Sequence, residues 1–269
     1  MELDRDATVL WHDAAMRLTR IRQLLSAEPP PQPPVPDLEA IVAQVDDPAD
    51  RAIVARALPH TMTGLPRLRA LIDAVRYCVR RDVPGDFAEC GVWRGGSVLA
   101  MVLTLQELGV EDRDIHLYDT FEGMTAPTDA DTSAFHRSAL AHWQESGGRP
   151  FPELFSEEVF NESMVRENVL SSGYPADRLH FVKGPVEDTV PAHAPEQLAL
   201  LRLDTDWYES TRHELEHLYP RLVDGGVLIV DDYGEWDGCR RAVDEYFGTQ
   251  AAPLLLNRID HTGRIAVKG

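Results

Sequence analysis

The chain has 269 residues, 43% of them hydrophobic, enough for one sizeable α/β core with a smaller appendage. Its 26 basic residues face 45 acidic ones, and the net charge of -19 repels a phosphate backbone, which argues against a DNA or RNA substrate and for a neutral or cationic small molecule. Three cysteines, Cys78, Cys90 and Cys239, make no CxxC pair and no even framework, the charged start Met1 to Asp6 is unlike a secretory signal, and no apolar stretch approaches the ~18 residues of a membrane span, so a cytoplasmic protein with no membrane partner is expected.

In chain order, Val9, Leu10, Met16, Leu18, Ile21, Leu24 and Leu25 recur at helical spacing, which predicts an amphipathic helix over 8–25 whose apolar stripe needs a partner, hence a homo-oligomer. The run Pro29 to Pro36 cannot be helical and reads as a stiff extended spacer. Residues 37–83 read as a helical lid, broken at Thr61-Met62-Thr63-Gly64 before a helix bearing Leu68, Leu71, Ile72 and Val75. From Pro84 strand and helix signals alternate, as in a doubly wound parallel sheet of the α/β class. Strands are predicted at Phe87–Cys90, Ile115–Tyr118, Leu179–Val182, Leu198–Leu203 and Val227–Val230, and helices near Val98–Leu108, Glu157–Leu170, Ser210–Leu222 and Cys239–Phe247. Leu254–Ile259 and Arg264–Val267, separated by His261-Thr262-Gly263, predict a C-terminal antiparallel hairpin. The polar stretch 124–160 is a loop of functional length, in which His136 and His142 are expected to be solvated. Trp143 and Tyr208 are read as an apolar wall for a sugar ring, with core packing as the rival account.

The first strand runs into Glu89-Cys90-Gly91-Val92-Trp93-Arg94-Gly95-Gly96-Ser97, where glycines let backbone pass close to a ligand before Ser97 starts a helix. This is not GxGxxG, and Glu89 places a negative charge where a dinucleotide fold would hold pyrophosphate, so a cationic, phosphate-free cofactor such as S-adenosylmethionine suits the turn. Asp119, ending the second strand, is placed to accept from ribose hydroxyls, and Lys183 to Thr189 to close over the adenine. Asp204, Asp206, Asp231 and Asp232 then follow two apolar strands, gathering four carboxylates at one sheet edge, which costs repulsion unless a cation or proton offsets it. An all-oxygen set favours a hard ion such as Mg2+, with Asp204, Asp231 and Asp232 as candidate ligands and Asp206 left as a base. Coordination would lower the pKa of a sugar hydroxyl for methyl transfer.

These segments, with Thr61-Met62-Thr63-Gly64-Leu65, Val83-Pro84-Gly85-Asp86-Phe87, Asp119-Thr120-Phe121-Glu122-Gly123 and Tyr208-Glu209-Ser210-Thr211, resemble the macrocin O-methyltransferase (TylF/MycF/NovP) family over about residues 60–248. The resemblance implies a class I (Rossmann-like) S-adenosylmethionine-dependent methyltransferase domain over 84–269 and a glycoside hydroxyl as acceptor. It implies Mg2+ on Asp204, Asp231 and Asp232, catalysis by Asp206 with Asp204 as the alternative base, and a cofactor site lined by Thr63, Glu89, Gly91, Ser97, Asp119 and Asp188. Two other readings stand beside it: a glycosyltransferase using Asp204-Thr205-Asp206 as its DxD, and a cofactor-fold interaction protein without catalysis.

Overall fold

The structure, a computed structural model, describes residues 38–134, 138–148, 152–249 and 254–269. The predicted helix over 8–25, the proline spacer and His136 lie outside these residues. The chain divides into a unit ending at Ala40 and a unit from Ile41 to Gly269. Helix α1 (Leu38–Val42) begins at the end of the first, and every other element belongs to the second.

Two further helices precede the sheet. α2 (Pro48–Ala57) starts on Asp47, whose side chain accepts from the amides of Ala49 and Asp50 at 2.9 and 3.0 Å, with proline at the first helical position. α3 (Leu65–Arg80) buries Leu68, Leu71, Ile72, Val75 and Cys78, the stripe expected of its i, i+3, i+4, i+7 pattern. Between them Thr61 to Gly64 form the expected break.

The sheet contains β1 (Asp86–Cys90), β2 (Ile115–Asp119), β3 (Leu179–Lys183), β4 (Leu198–Leu203) and β5 (Leu222–Val230) in parallel. The strands lie in the order β3-β2-β1-β4-β5-β7-β6, with the predicted C-terminal hairpin of β6 (Asn257–Arg258) and β7 (Arg264–Val267) added antiparallel to β5. Helix α4 (Gly96–Glu107), apolar on nearly every side, lies on the sheet beside α3 and beneath α2, which is why its burial is almost complete. On the other face pack α9 (Tyr208–His217) and α10 (Asp237–Gly248), reached after the short helices α5 (Ala139–Glu145), α6 (Pro152–Phe155), α7 (Glu162–Leu170) and α8 (Val186–Thr189). Among the described residues no helix is long and apolar enough to cross a membrane.

The stretch 124–160 read as a loop carries α5 and α6, and the first hairpin strand, predicted over Leu254–Ile259, spans only Asn257–Arg258; three further elements differ from expectation for local reasons. The helix predicted to reach Leu222 ends at His217, because Pro220 has no N–H and a 3-10 turn, Tyr219–Arg221, replaces the last α turn. The helix predicted from Glu157 starts at Glu162, where Asn161 Oδ1 accepts from the Met164 amide at 3.0 Å. β5 begins five residues early, at Leu222, and its Gly225 and Gly226 exchange hydrogen bonds with Lys268 at 2.6 and 2.8 Å.

The strand order reverses between β1 and β4, leaving a cleft beyond their carboxyl ends, where an open α/β sheet takes its ligand. The ladder continues past the strands: Asp204 N donates to Cys90 O and Asp231 N to Leu203 O, each at 2.9 Å. The aspartates are thus held in register beside the glycine turn.

Candidate active site

A cavity of about 480 Å3 opens at this reversal. The glycine turn and α6 to the Phe160 region form one end, through Gly91, Trp93, Leu154, Phe155 and Phe160, and the aspartates with Trp207 and Trp236 form the other. The volume is that of a small-molecule site.

At the glycine end Asp119 is buried in hydrogen bonds. Its Oδ2 accepts from the amides of Val92 (2.7 Å) and Trp93 (3.0 Å), and Oδ1 from the amide of Phe121 (2.7 Å). Burial raises its pKa against those bonds, and here the carboxylate ties the turn to β2. Gly91 has φ of +81°, and a Cβ there would lie 1.8 Å from Asp204 O, so no other residue fits without moving the aspartate strand. Gly91→Ala is expected to destabilise the fold by at least about 2 kcal/mol, combining left-handed strain with the clash. Chemical denaturation checks this, and a loss below about 0.5 kcal/mol would contradict the close approach.

At the other end Asp204, Asp231 and Asp232 each offer a carboxylate oxygen, all within 4.8 Å of one another, the only such group among the described residues. Behind them Arg202, 1% exposed, donates from Nη1 to Glu89 Oε1 and to Asp204 Oδ2 (2.7 Å), and from Nη2 to Thr63 Oγ1 (2.7 Å) and Asp231 Oδ1 (2.6 Å). Arg67 Nη1 donates to the remaining oxygen of Asp231, Oδ2. Asp206 follows in a left-handed conformation (φ 67°) that turns it into the cavity, where its Oδ1 accepts from Trp236 Nε1 at 2.8 Å and its amide donates to Asp232 Oδ2 at 3.3 Å. Trp236 stacks edge-on against Trp207, ring centroids 5.0 Å apart, and Trp207 Nε1 donates to Thr125 O at 3.0 Å, so loop and base share one support.

Five carboxylates, of Glu89, Asp204, Asp206, Asp231 and Asp232, therefore crowd together, and the two guanidiniums pair with Glu89, Asp204 and Asp231. Burial pushes Asp204 up to about 6, Glu89 and Asp206 up to about 8, and Asp232 well above the usual carboxylate range, with the neighbouring aspartates adding to the rise. In the metal-free protein the folded state holds protons that the unfolded chain has released between about pH 4 and pH 8. Stability is present below that window and falls as pH rises through it. Melting in EDTA at pH 5 and pH 8 is expected to give the lower midpoint at pH 8, and a flat or rising profile would contradict the charge excess.

Of the sequence-predicted residues, Thr63, Gly91, Asp119, Asp204, Asp206, Asp231 and Asp232 line the cavity. Glu89 and Ser97 lie buried behind that lining, Ser97 Oγ 3.4 Å from Thr61 Oγ1. Asp188 is exposed on α8, and it is Glu187 that reaches the cavity. His142 and Trp143 sit on α5 away from the lining, and Tyr208 Oη donates to Glu245 Oε2 at 2.7 Å outside it, so the indoles that border the cavity are those of Trp93, Trp207 and Trp236. Arg67, Arg202 and Trp236 were not expected. Arg202 alone had a visible signal, as the single charge in the otherwise apolar strand β4.

The chain is similar to known proteins in sequence and in fold. The chain is 37% identical over 233 residues to the 8-demethyl-8-(2,3-dimethoxy-alpha-L-rhamnosyl)-tetracenomycin-C 4'-O-methyltransferase of Streptomyces olivaceus, covering 84% of this chain and 83% of the relative. It is 37% identical to the mycinamicin III 3''-O-methyltransferase of Micromonospora griseorubida, covering 76% of each. The solved structure of the O-methyltransferase NovP matches at a TM-score of 0.67 and 34% identity, over 78% of this chain and 82% of that one. The calicheamicin methyltransferase CalS11, at 22% identity and a TM-score of 0.60 over 88% of this chain and 99% of that one, shares the fold. With residues 43–267 matching the family as a whole, the doubly wound sheet is a class I, Rossmann-like methyltransferase fold and the chain belongs to the TylF macrocin-O-methyltransferase family.

Proposed function

We propose that the protein transfers the methyl group of S-adenosylmethionine to a hydroxyl of a deoxysugar on a glycosylated natural product, with Mg2+ bound by Asp204, Asp231 and Asp232. The observation that carries this reading is one cavity lined at one end by the glycine turn and at the other by three convergent carboxylates. The relative at 37% identity over 84% of the chain is by name an O-methyltransferase of a rhamnosyl tetracenomycin C, and two others at 36–37% are by name O-methyltransferases of mycinamicin III and of a novobiocin derivative, which supports the acceptor class.

The donor supplies a methyl group on a positively charged sulfur. Thr63, Gly91 and Asp119 border the space for it, backed by Glu89 and Ser97, with Asp188 on the neighbouring α8. Residues 37–83 contribute Met62, Thr63 and Arg67 to the wall, consistent with a covering role over the catalytic domain of 84–269. The aspartates fit a hard cation, since the donor set is all oxygen and its charge exceeds that of the two guanidiniums. When bound, such an ion lowers the pKa of a coordinated hydroxyl and orients it. Asp206 accepts the proton that leaves the acceptor hydroxyl, and burial beside the neighbouring aspartates makes its carboxylate a stronger proton acceptor than an ordinary one. Trp236 fixes the carboxylate, while the indole walls keep water out and present apolar faces to a sugar ring. Asp204 is the alternative base; Asp206 is preferred because it stands outside the three-carboxylate group.

Calorimetry separates this reading from a sugar-nucleotide transferase. S-adenosylhomocysteine is expected to bind, and UDP titrated into the chain already saturated with Mn2+ to give no heat beyond the protein-free blank. Binding of UDP without S-adenosylhomocysteine would reverse the assignment.

A further inference from the structure

Asp231 has both oxygens committed to arginines, yet it is one of the three residues proposed to hold the cation. Its Oδ1 belongs to Arg202, which is 1% exposed and fixed by Glu89, Asp204 and Thr63. Its Oδ2 belongs to Arg67, on the first turn of α3, which borders the cavity with 14% of its side chain exposed. Of the two, only Arg67 has somewhere else to go. Its Nε lies 3.1 Å from Asp260 Oδ2 but makes no hydrogen bond to any described residue, so the guanidinium is shared between two carboxylates and well seated on one.

The hairpin turn before β7 is built around this pair. Asp260 Oδ1 accepts from the amides of Thr262 and Gly263 at 2.9 and 2.7 Å, which leaves Oδ2 for Arg67. The Thr262 hydroxyl donates to Asp231 O at 2.7 Å, pinning the turn to the end of β5. A Cβ on Gly263 would stand 2.9 Å from Arg67 Cδ and 3.0 Å from Cγ, so the missing side chain is the space occupied by the arginine stem.

We propose that Arg67 is an internal counter-cation that competes with the divalent ion for Asp231 and passes to Asp260 when the ion binds. This rests on the assignment of the cation to Asp204, Asp231 and Asp232. A dication beside a guanidinium is repelled at short range in a partly buried site, and the arginine offsets the aspartate charge only while the ion is away. Cation binding is then an exchange, with Asp260 as the parking place that keeps Arg67 at the cavity wall.

Mn2+ serves as the probe, with the free ion read by electron paramagnetic resonance in titrations of the full chain. Arg67→Gln is expected to tighten binding about tenfold, as for neighbours in one charge network, and Arg67→Lys to fall between Arg67→Gln and wild type. Asp260→Asn keeps the acceptor for the two turn amides and is expected to weaken binding several-fold, because Arg67 is left with Asp231 alone. In the Arg67→Gln background Asp260→Asn is expected to change nothing. An equal effect of Asp260→Asn in both backgrounds would mean only a long-range field, and it would overturn the exchange, as would unchanged or weaker binding in both Arg67 variants. If wild type and all variants leave Mn2+ free, the cation assignment itself fails and the exchange with it; if wild type binds, only the exchange is at stake.

Discussion

Asp206→Asn is expected to lower kcat by about 10²–10⁴-fold, the usual worth of a positioned general base, while leaving donor affinity and melting temperature near wild type. Asn is the most conservative probe available. It tolerates the left-handed backbone at position 206, keeps an oxygen for Trp236 Nε1, and loses only the capacity to take a proton. It also removes one member of a crowded anionic group, so the fold has no reason to suffer. Single-turnover transfer with saturating donor isolates the chemical step, and calorimetry with S-adenosylhomocysteine reports the donor half separately. A loss below about threefold would move the base to Asp204.

Arg202→Met is expected to cost about 3–5 kcal/mol of stability in EDTA, the range for removing one partner of a buried charge network. The guanidinium is 1% exposed and its two terminal nitrogens make four hydrogen bonds, to Glu89, Asp204, Asp231 and Thr63, so the variant leaves three carboxylates facing one another with only Arg67 nearby. Part of the loss should be regained by adding Glu89→Gln, since Glu89 is wholly dependent on Arg202 and its Oε2 already has no hydrogen-bond partner among the described residues. Denaturant midpoints at pH 7 with an unchanged slope would report it. A midpoint shift equivalent to less than about 1 kcal/mol would show that the network is solvated.

The ends of the strands were the most legible part of the chain. An apolar run that stops at an acid marks where a buried strand meets solvent, and it does so at Asp119, Asp204 and Asp231. Register did the rest. Because the parallel ladder continues from Cys90 to Asp204 and from Leu203 to Asp231, residues far apart in sequence come to adjacent places on the rim without long side chains reaching for one another. The arginines were harder to see. Arg67 lies among Arg69, Arg76 and Arg80 on one amphipathic helix, and periodicity says nothing about which of them turns toward a carboxylate. On the four-residue α8 Glu187 borders the cavity and Asp188 does not, because successive helical residues point about 100° apart, a rotation that sequence spacing alone does not fix. Trp236 lies four residues past the last aspartate of the cluster, and its indole reaches Asp206 only because α10 packs against α9, a contact set by the fold and not by spacing.

The most direct test is a single time course of methyl transfer from isotope-labelled S-adenosylmethionine to a desmethyl glycosylated antibiotic, run with Mg2+, with EDTA, and with Asp232→Ala. Label appearing on a sugar oxygen only in the Mg2+ reaction of the wild-type chain is the expected result. Transfer at full rate in EDTA and in Asp232→Ala alike would contradict the placement of a cation on the aspartates at the rim.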